Sequence, residues 1–175
     1  MYREIGGEEL MSQATPAIPI ALQQGEGEAR WFLGALCTVK STGEQTGGRV
    51  AVTENWAARG HGSPLHVHHQ EDEWFYVLSG ELTFWVDGQV IVATEGSFVY
   101  GPRDVPHTFT VTSEEARFLL VVEPAGLEDL IHVLSEPAPA LTLPPASLQP
   151  PAVDAMMAAA AEHGIEILGP PGIPS

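Results

Sequence analysis

Residues 60 to 80 read Gly60-His-Gly-Ser-Pro-Leu-His66-Val-His68-His-Gln-Glu-Asp-Glu73-Trp-Phe-Tyr-Val-Leu-Ser-Gly80, and they restrict the fold more than any other stretch. His66 and His68 are two apart, so on an extended strand both imidazoles leave the same face. Four residues separate His68 from Glu73, enough for a turn or bulge that returns an acid to that face. Trp74 to Leu78 is a β-branched and aromatic run that predicts a strand, stopped by Ser79-Gly80. Two imidazoles and a carboxylate on one wall of a sheet make a coordination shell that lacks one ligand. His107, inside Gly96 to Val111, supplies it, and the four residues predict a metal site. Three imidazole nitrogens and one carboxylate oxygen suit Fe, Mn, Co, Ni, Cu or Zn, whereas Mg and Ca want more oxygen. On an octahedral ion, four protein donors leave two positions for substrate or dioxygen. The competing account is a core in which the same histidines are satisfied without metal.

The spacing carries a resemblance. Gly60-x5-His66-x-His68-x4-Glu73-x6-Gly80 resembles the first cupin motif, and Gly96-x5-Pro102-x-Asp104-x2-His107-x3-Val111 resembles the second. The second departs twice, with Asp104 in place of Gly and Val111 in place of Asn. Asp tolerates a left-handed turn better than most residues, so the first departure is mild. Val111 removes a polar side chain, and no role of the Asn carries over. The resemblance implies an all-β jelly-roll barrel, a double-stranded β-helix, followed here by two short C-terminal helices. From about residue 30 to 170 the chain is similar to the single-domain cupins of the bacterial quercetin 2,3-dioxygenase type. That similarity implies a mononuclear metal-dependent dioxygenase that opens a flavonol-type ring with loss of carbon monoxide. In that scheme His66, His68, Glu73 and His107 hold one divalent transition-metal ion. Glu73 also acts as the catalytic base, taking a proton from the substrate hydroxyl. The same ligands serve a non-oxidative isomerase, cyclase or decarboxylase equally well, and a non-catalytic small-molecule-binding cupin is a third reading.

Seven basic against twenty-three acidic residues give a formal charge of −16, which opposes binding to nucleic acid or an anionic membrane. The expected partner is a small organic molecule, with dioxygen in the oxidative reading. The one cysteine, Cys37, rules out an intramolecular disulfide and sits in an apolar run as a buried small hydrophobe. The apolar stretch from Ala17 to Leu22 is broken by Pro19, so neither a signal peptide nor a spanning segment is expected. A cytoplasmic homodimer is the working expectation.

In chain order, residues 1–28 lack periodicity and are expected to be an arm, 29–124 the barrel, and 125–175 a helical and Pro-rich extension packed on it. Arg30 to Lys40 predicts one strand, Ser41 to Gly48 a turn, and Arg49 to Trp56 another strand. Asp87-Gly88 is the preferred filling of a two-residue hairpin turn between Glu81–Val86 and Gln89–Thr94. Ser97 to Tyr100, His107 to Thr112 and Ala116 to Glu123 complete a string of short strands. Leu127, Leu130, Ile131 and Leu134 fall at helical spacing with Glu128 and Asp129 in the first turn. Pro137 to Pro151 predicts an extended connector. A second helix then packs Val153, Met156, Met157 and Ala160 and stops at Gly164, before a tail from Gly169 to Ser175.

Around the site, His69 points away from His68 on a strand and stays outside the shell. His61, in the loop before the motif, is either solvated, the preferred reading, or at the pocket mouth, and His132 and His163 are expected to be structural or exposed. Glu71 and Asp72 compete with Glu73 as the acid. Glu73 is preferred because it fills the family position and shares an inward face with Phe75 and Val77, leaving Glu71 and Asp72 as a solvated turn. Phe98 or Tyr100, with Phe109, is expected to add aromatic surface to an apolar pocket suited to a flat molecule with an oxygen donor.

Overall fold

The computed structural model describes residues 18–174. Most of the expected N-terminal arm, residues 1–17, lies outside the described residues. Two antiparallel sheets carry the fold. The larger has the strand order β11 (Ser135–Pro137), β1 (Glu28–Phe32), β2 (Ala35–Ser41), β3 (Ala51–Ala58), β10 (Glu115–Glu123), β5 (Asp72–Ser79) and β8 (Phe98–Gly101). The smaller runs β12 (Ile165–Pro171), β4 (Pro64–His68), β9 (His107–Val111), β6 (Glu81–Val86) and β7 (Gln89–Thr94). The chain passes repeatedly from one sheet to the other, and the two pack face to face as a jelly roll.

Period-two burial shows why these segments are strands. Along β5, Glu73, Phe75 and Val77 are buried while Tyr76 and Leu78 face out. Facing residues from the second sheet, Leu82, Phe84, Ala93 and Val111, close the core between the layers. Leu82, Phe84 and Val111 each contribute roughly 1.5–3 kcal/mol on burial, so this layer is what keeps the sheets together. The β6–β7 hairpin turns on Asp87 and Gly88, both left-handed at φ 45° and 82°, as the dipeptide predicts.

Three expectations change. Arg30 to Lys40 is not one strand: Leu33 and Gly34, at φ 48° and 95°, fold it into the β1–β2 hairpin. A tight turn needs only two residues, and apolar flanks masked this one. Within Ser41 to Gly48 the chain forms one helical turn, α1 (Gly43–Thr46), ended by Gly47 in the left-handed region. The first residues of the supposed tail, Gly169 to Pro171, are the end of β12, which pairs with β4 and sets Ile165 opposite His68 and Ile167 opposite His66. Being an edge strand whose register shifts after Ile167 and again after Gly169, β12 accommodates Pro170 and Pro171 at its irregular end.

Helix α2 (Leu127–Leu134) buries Leu127, Leu130, Ile131 and Leu134, the expected face. Helix α3 (Val153–Glu162) buries Ala159 and Ala160 with Met156 packed beside them, while Val153 and Met157 are exposed. Together with Cys37, Val122 and Ile165, these residues form a second apolar cluster that fastens the helices to the barrel. Burial pushes the Cys37 thiol up to about 12, which makes it inert packing. Among the described residues, no helix is long and apolar enough to cross a membrane.

Candidate metal centre

Strand β4 presents His66 and His68, β9 presents His107 directly opposite His66, and β5 brings Glu73 across from the other sheet. The four expected residues therefore meet inside the barrel. One donor atom from each lies within 4.8 Å of the other three, and all four side chains are buried. His107 Nε2 is 2.8 Å from Glu73 Oε2, and His68 Nε2 is 3.5 Å from Glu73 Oε1.

The outer nitrogen of each ring is committed elsewhere. Nδ1 of His66 donates to the Pro64 carbonyl at 2.8 Å, and Nδ1 of His107 to the Val105 carbonyl at 2.8 Å. Nδ1 of His68 donates to Glu71 Oε2 at 3.1 Å. Each bond turns Nε2 of its ring inward, where it would give its lone pair to a bound ion. Burial alone would raise the Glu73 carboxyl, but the charge on His68 and the His107 hydrogen bond overcome it and hold the group at about 2. Burial, with His107 close by, pushes His66 down to about 4, so its ring is neutral near pH 7. Burial also opposes charge on His68, yet Glu73 and Glu71 raise its pKa above the ordinary value. Neutral imidazole and ionised carboxylate are the forms that ligate, and the donor set fits one transition-metal ion.

Glu71 corrects the sequence reading. It is 4% exposed rather than a solvated turn residue, and it holds the ring of His68. The spacing His68 to Glu71 is the only signal that could have found it. Asp72 is also committed: its carboxylate takes bonds from the Arg103 backbone N–H at 2.9 Å and from Arg103 Nη2 at 2.6 Å. The bonds from Arg103 hold the Asp72 carboxyl down to about 2 and anchor the loop that leads to His107. Asp104 in that loop is left-handed at φ 61°, as its turn position requires, and its N–H donates to the His68 carbonyl at 2.7 Å. Replacing Glu71 with Ala strands the His68 Nδ1–H in a dry site. Metal affinity should fall roughly 10- to 100-fold, and Glu71→Gln, which keeps an acceptor, should lose less. Competition against a chelator of known affinity measures both.

A cavity of about 130 Å³ adjoins His66, His68 and Glu73, walled by Phe75, Phe109 and Phe118 with Leu127, Leu130 and Leu134 from α2. Phe109 takes the expected place. Phe98 and Tyr100 do not: they are 61% and 44% exposed, because Val99 and Gly101 hold the inward parity of β8. Tyr100 instead stacks on Trp74 outside the barrel, ring centroids 5.5 Å apart. His61, expected to be solvated, lines the cavity. His69 stays outside the shell, bound to Asp104 and Glu166, and His132 and His163 bond to helix carbonyls.

Residues 54–122 match the Cupin_2 family model, described as the cupin domain. The chain carries a type-2 cupin domain. This cupin is similar to quercetinase-like proteins: it is 28% identical over 129 residues to quercetin 2,3-dioxygenase from Bacillus subtilis, covering 74% of this chain and 38% of that protein. It is 31% identical over 74 residues to quercetin 2,3-dioxygenase from Aspergillus japonicus, covering 39% and 21%. The cupin thus spans well under half the length of either relative. A solved RmlC-like cupin from Shewanella frigidimarina superposes with a TM-score of 0.53 at 20% identity, over 61% of this chain and 93% of that one, which shows the shared fold.

Proposed function

We propose that His66, His68, Glu73 and His107 hold one divalent transition-metal ion, and that this cupin is a mononuclear metal-dependent dioxygenase acting on an enolisable aromatic compound. The observation that carries the reading is an ionised, fully buried Glu73 at the wall of an apolar, aromatic cavity. Two relatives bearing the name quercetin 2,3-dioxygenase support the oxidative form. The ion, when bound, supplies Lewis acidity that makes a substrate hydroxyl more acidic and, if redox-active, a route for electrons between substrate and dioxygen.

The chain's own groups do the rest. Phe75, Phe109 and Phe118 hold a ring and exclude water. Glu73 offers a carboxylate oxygen to the substrate hydroxyl and takes its proton, a step for which an ionised group is required.

The cavity volume favours a second reading as well. About 130 Å³ is close to the roughly 150 Å³ apolar cavity that accommodates benzene, so the space takes one ring, and the rest of a flavonol would extend out of it. A small non-oxidative substrate, turned over by an isomerase, cyclase or decarboxylase, fits the space directly. Oxygen uptake with catechol and with 3-hydroxyflavones, on protein loaded in turn with Fe, Mn, Co, Ni, Cu and Zn, separates the two. The oxidative reading expects uptake with at least one redox-active ion and none with Zn. Full metal occupancy without uptake on any catechol, enediol or flavonol overturns it, and turnover supported by Zn establishes the non-oxidative one.

A further inference from the structure

The cavity beside His66, His68 and Glu73 has few polar groups, and most of them already have partners. Asn55 donates from Nδ2 to Thr53 Oγ1 at 2.9 Å. Ser63 Oγ accepts from the Phe109 N–H at 3.3 Å and lies 3.4 Å from Thr108 Oγ1. His61 differs. Of the seven histidines in the chain, six have ring nitrogens bonded to a carbonyl or carboxylate. Among the described residues nothing pairs with the His61 ring, although it is half-buried on the cavity wall. Its nearest aromatic neighbour is Phe109, centroids 6.1 Å apart. A Cβ built on Gly34, in the β1–β2 turn, would come within 3.7 Å of its Nδ1, so the turn backbone shields one side.

The His61 ring therefore keeps a donor and an acceptor available to whatever enters the cavity. We infer that His61 is a substrate-recognition residue, and that the ligand it selects is a one-ring hydroxylated aromatic or enol whose hydroxyl bonds to the imidazole while the ring packs on Phe109. The inference rests on the reading of this cavity as the substrate site. Burial pushes His61 down to about 4, so near pH 7 the ring is neutral and offers one donor and one acceptor, matching a hydroxyl that can serve as either. A bare hydrocarbon leaves the ring unpaired. The volume sets the size limit at one ring, or at the one-ring end of a larger molecule.

Phenol and benzene, titrated by calorimetry into the full-length protein as purified, read this contact directly because they differ by one hydroxyl. Phenol should bind about tenfold tighter than benzene, the worth of one buried hydrogen bond. In His61→Phe that ratio should collapse toward one while the benzene Kd stays within about twofold. His61→Gln, which keeps a donor and an acceptor, should restore most of it. Metal content measured on the same preparations should not change, which separates this contact from the metal site. If His61→Phe does not fold, His61→Leu takes its place in the same comparison. A phenol-to-benzene ratio unaltered by losing the imidazole, or a parallel loss of both ligands, overturns the inference. Absence of oxygen uptake leaves it standing, since ligand selection is read without turnover.

Discussion

His107→Ala should lose both metal and turnover, whereas Glu73→Gln should keep part of its metal and lose turnover alone. The two residues touch, Nε2 to Oε2 at 2.8 Å, yet they stand in the site for different reasons. His107 comes from β9 and closes a shell whose other imidazoles both come from β4. Without it, affinity should fall by more than the roughly 100-fold seen when only an outer hydrogen-bond partner is removed. Gln at 73 retains an oxygen donor of nearly the same shape but cannot accept the substrate's proton as a carboxylate does. Loss of a general base costs roughly 100- to 10,000-fold in rate. Paired metal content and turnover on the two variants test this, and a full equivalent of metal on His107→Ala would refute the ligand set.

The second large effect is structural. Gly62→Ala should destabilise the fold far more than Gly60→Ala, although the two glycines are neighbours in the same loop. A Cβ on Gly62 would overlap the Phe109 carbonyl oxygen and crowd Thr110 Oγ1 at 3.1 Å, so β9 must shift to admit it. Gly62 is bridged to Thr110, and the shift would carry His107 with it. Overpacking against backbone costs roughly 3 kcal/mol, a fall in Tm of roughly 6–12 °C at this chain length. Gly60 has open space around its Cβ and only a left-handed φ of 84° to defend, worth about 1 kcal/mol. Thermal melts of both variants decide the order. Equal melting points would mean that close approach at Gly62 contributes nothing.

The difference between those glycines illustrates what a sequence discloses. Gly60 stands out because its place in the first motif is readable, whereas the reason for Gly62 is a strand nearly fifty residues away. The four donors were legible because a period of two fixes the face of His66 and His68, and because both motifs keep their spacing. Parity with Phe75 and Val77, buried as expected, set aside Asp72, whereas Glu73 could be preferred over Glu71 only on its place in the motif at the opening of the strand. Glu71 was not legible as a buried ring holder, because its burial depends on the tertiary fold and not on its place beside charged neighbours. Phe98 and Tyr100 failed for want of one bit, the parity of a four-residue strand. The Gly169 tail misled because Pro and Gly, usual marks of a loop, are tolerated on an edge strand. His61 could not be separated from a solvated loop residue until β1–β2 and β9 enclosed it.

Elemental analysis of chelator-free protein tests the central claim most directly. Purified protein, or protein reconstituted with Fe, Mn, Co, Ni, Cu or Zn and then desalted, should retain about one transition-metal ion per chain, as a single four-donor cluster requires. Retention of none of the six, by a chain that is folded by circular dichroism, would contradict it and leave the four residues as a hydrogen-bonded core.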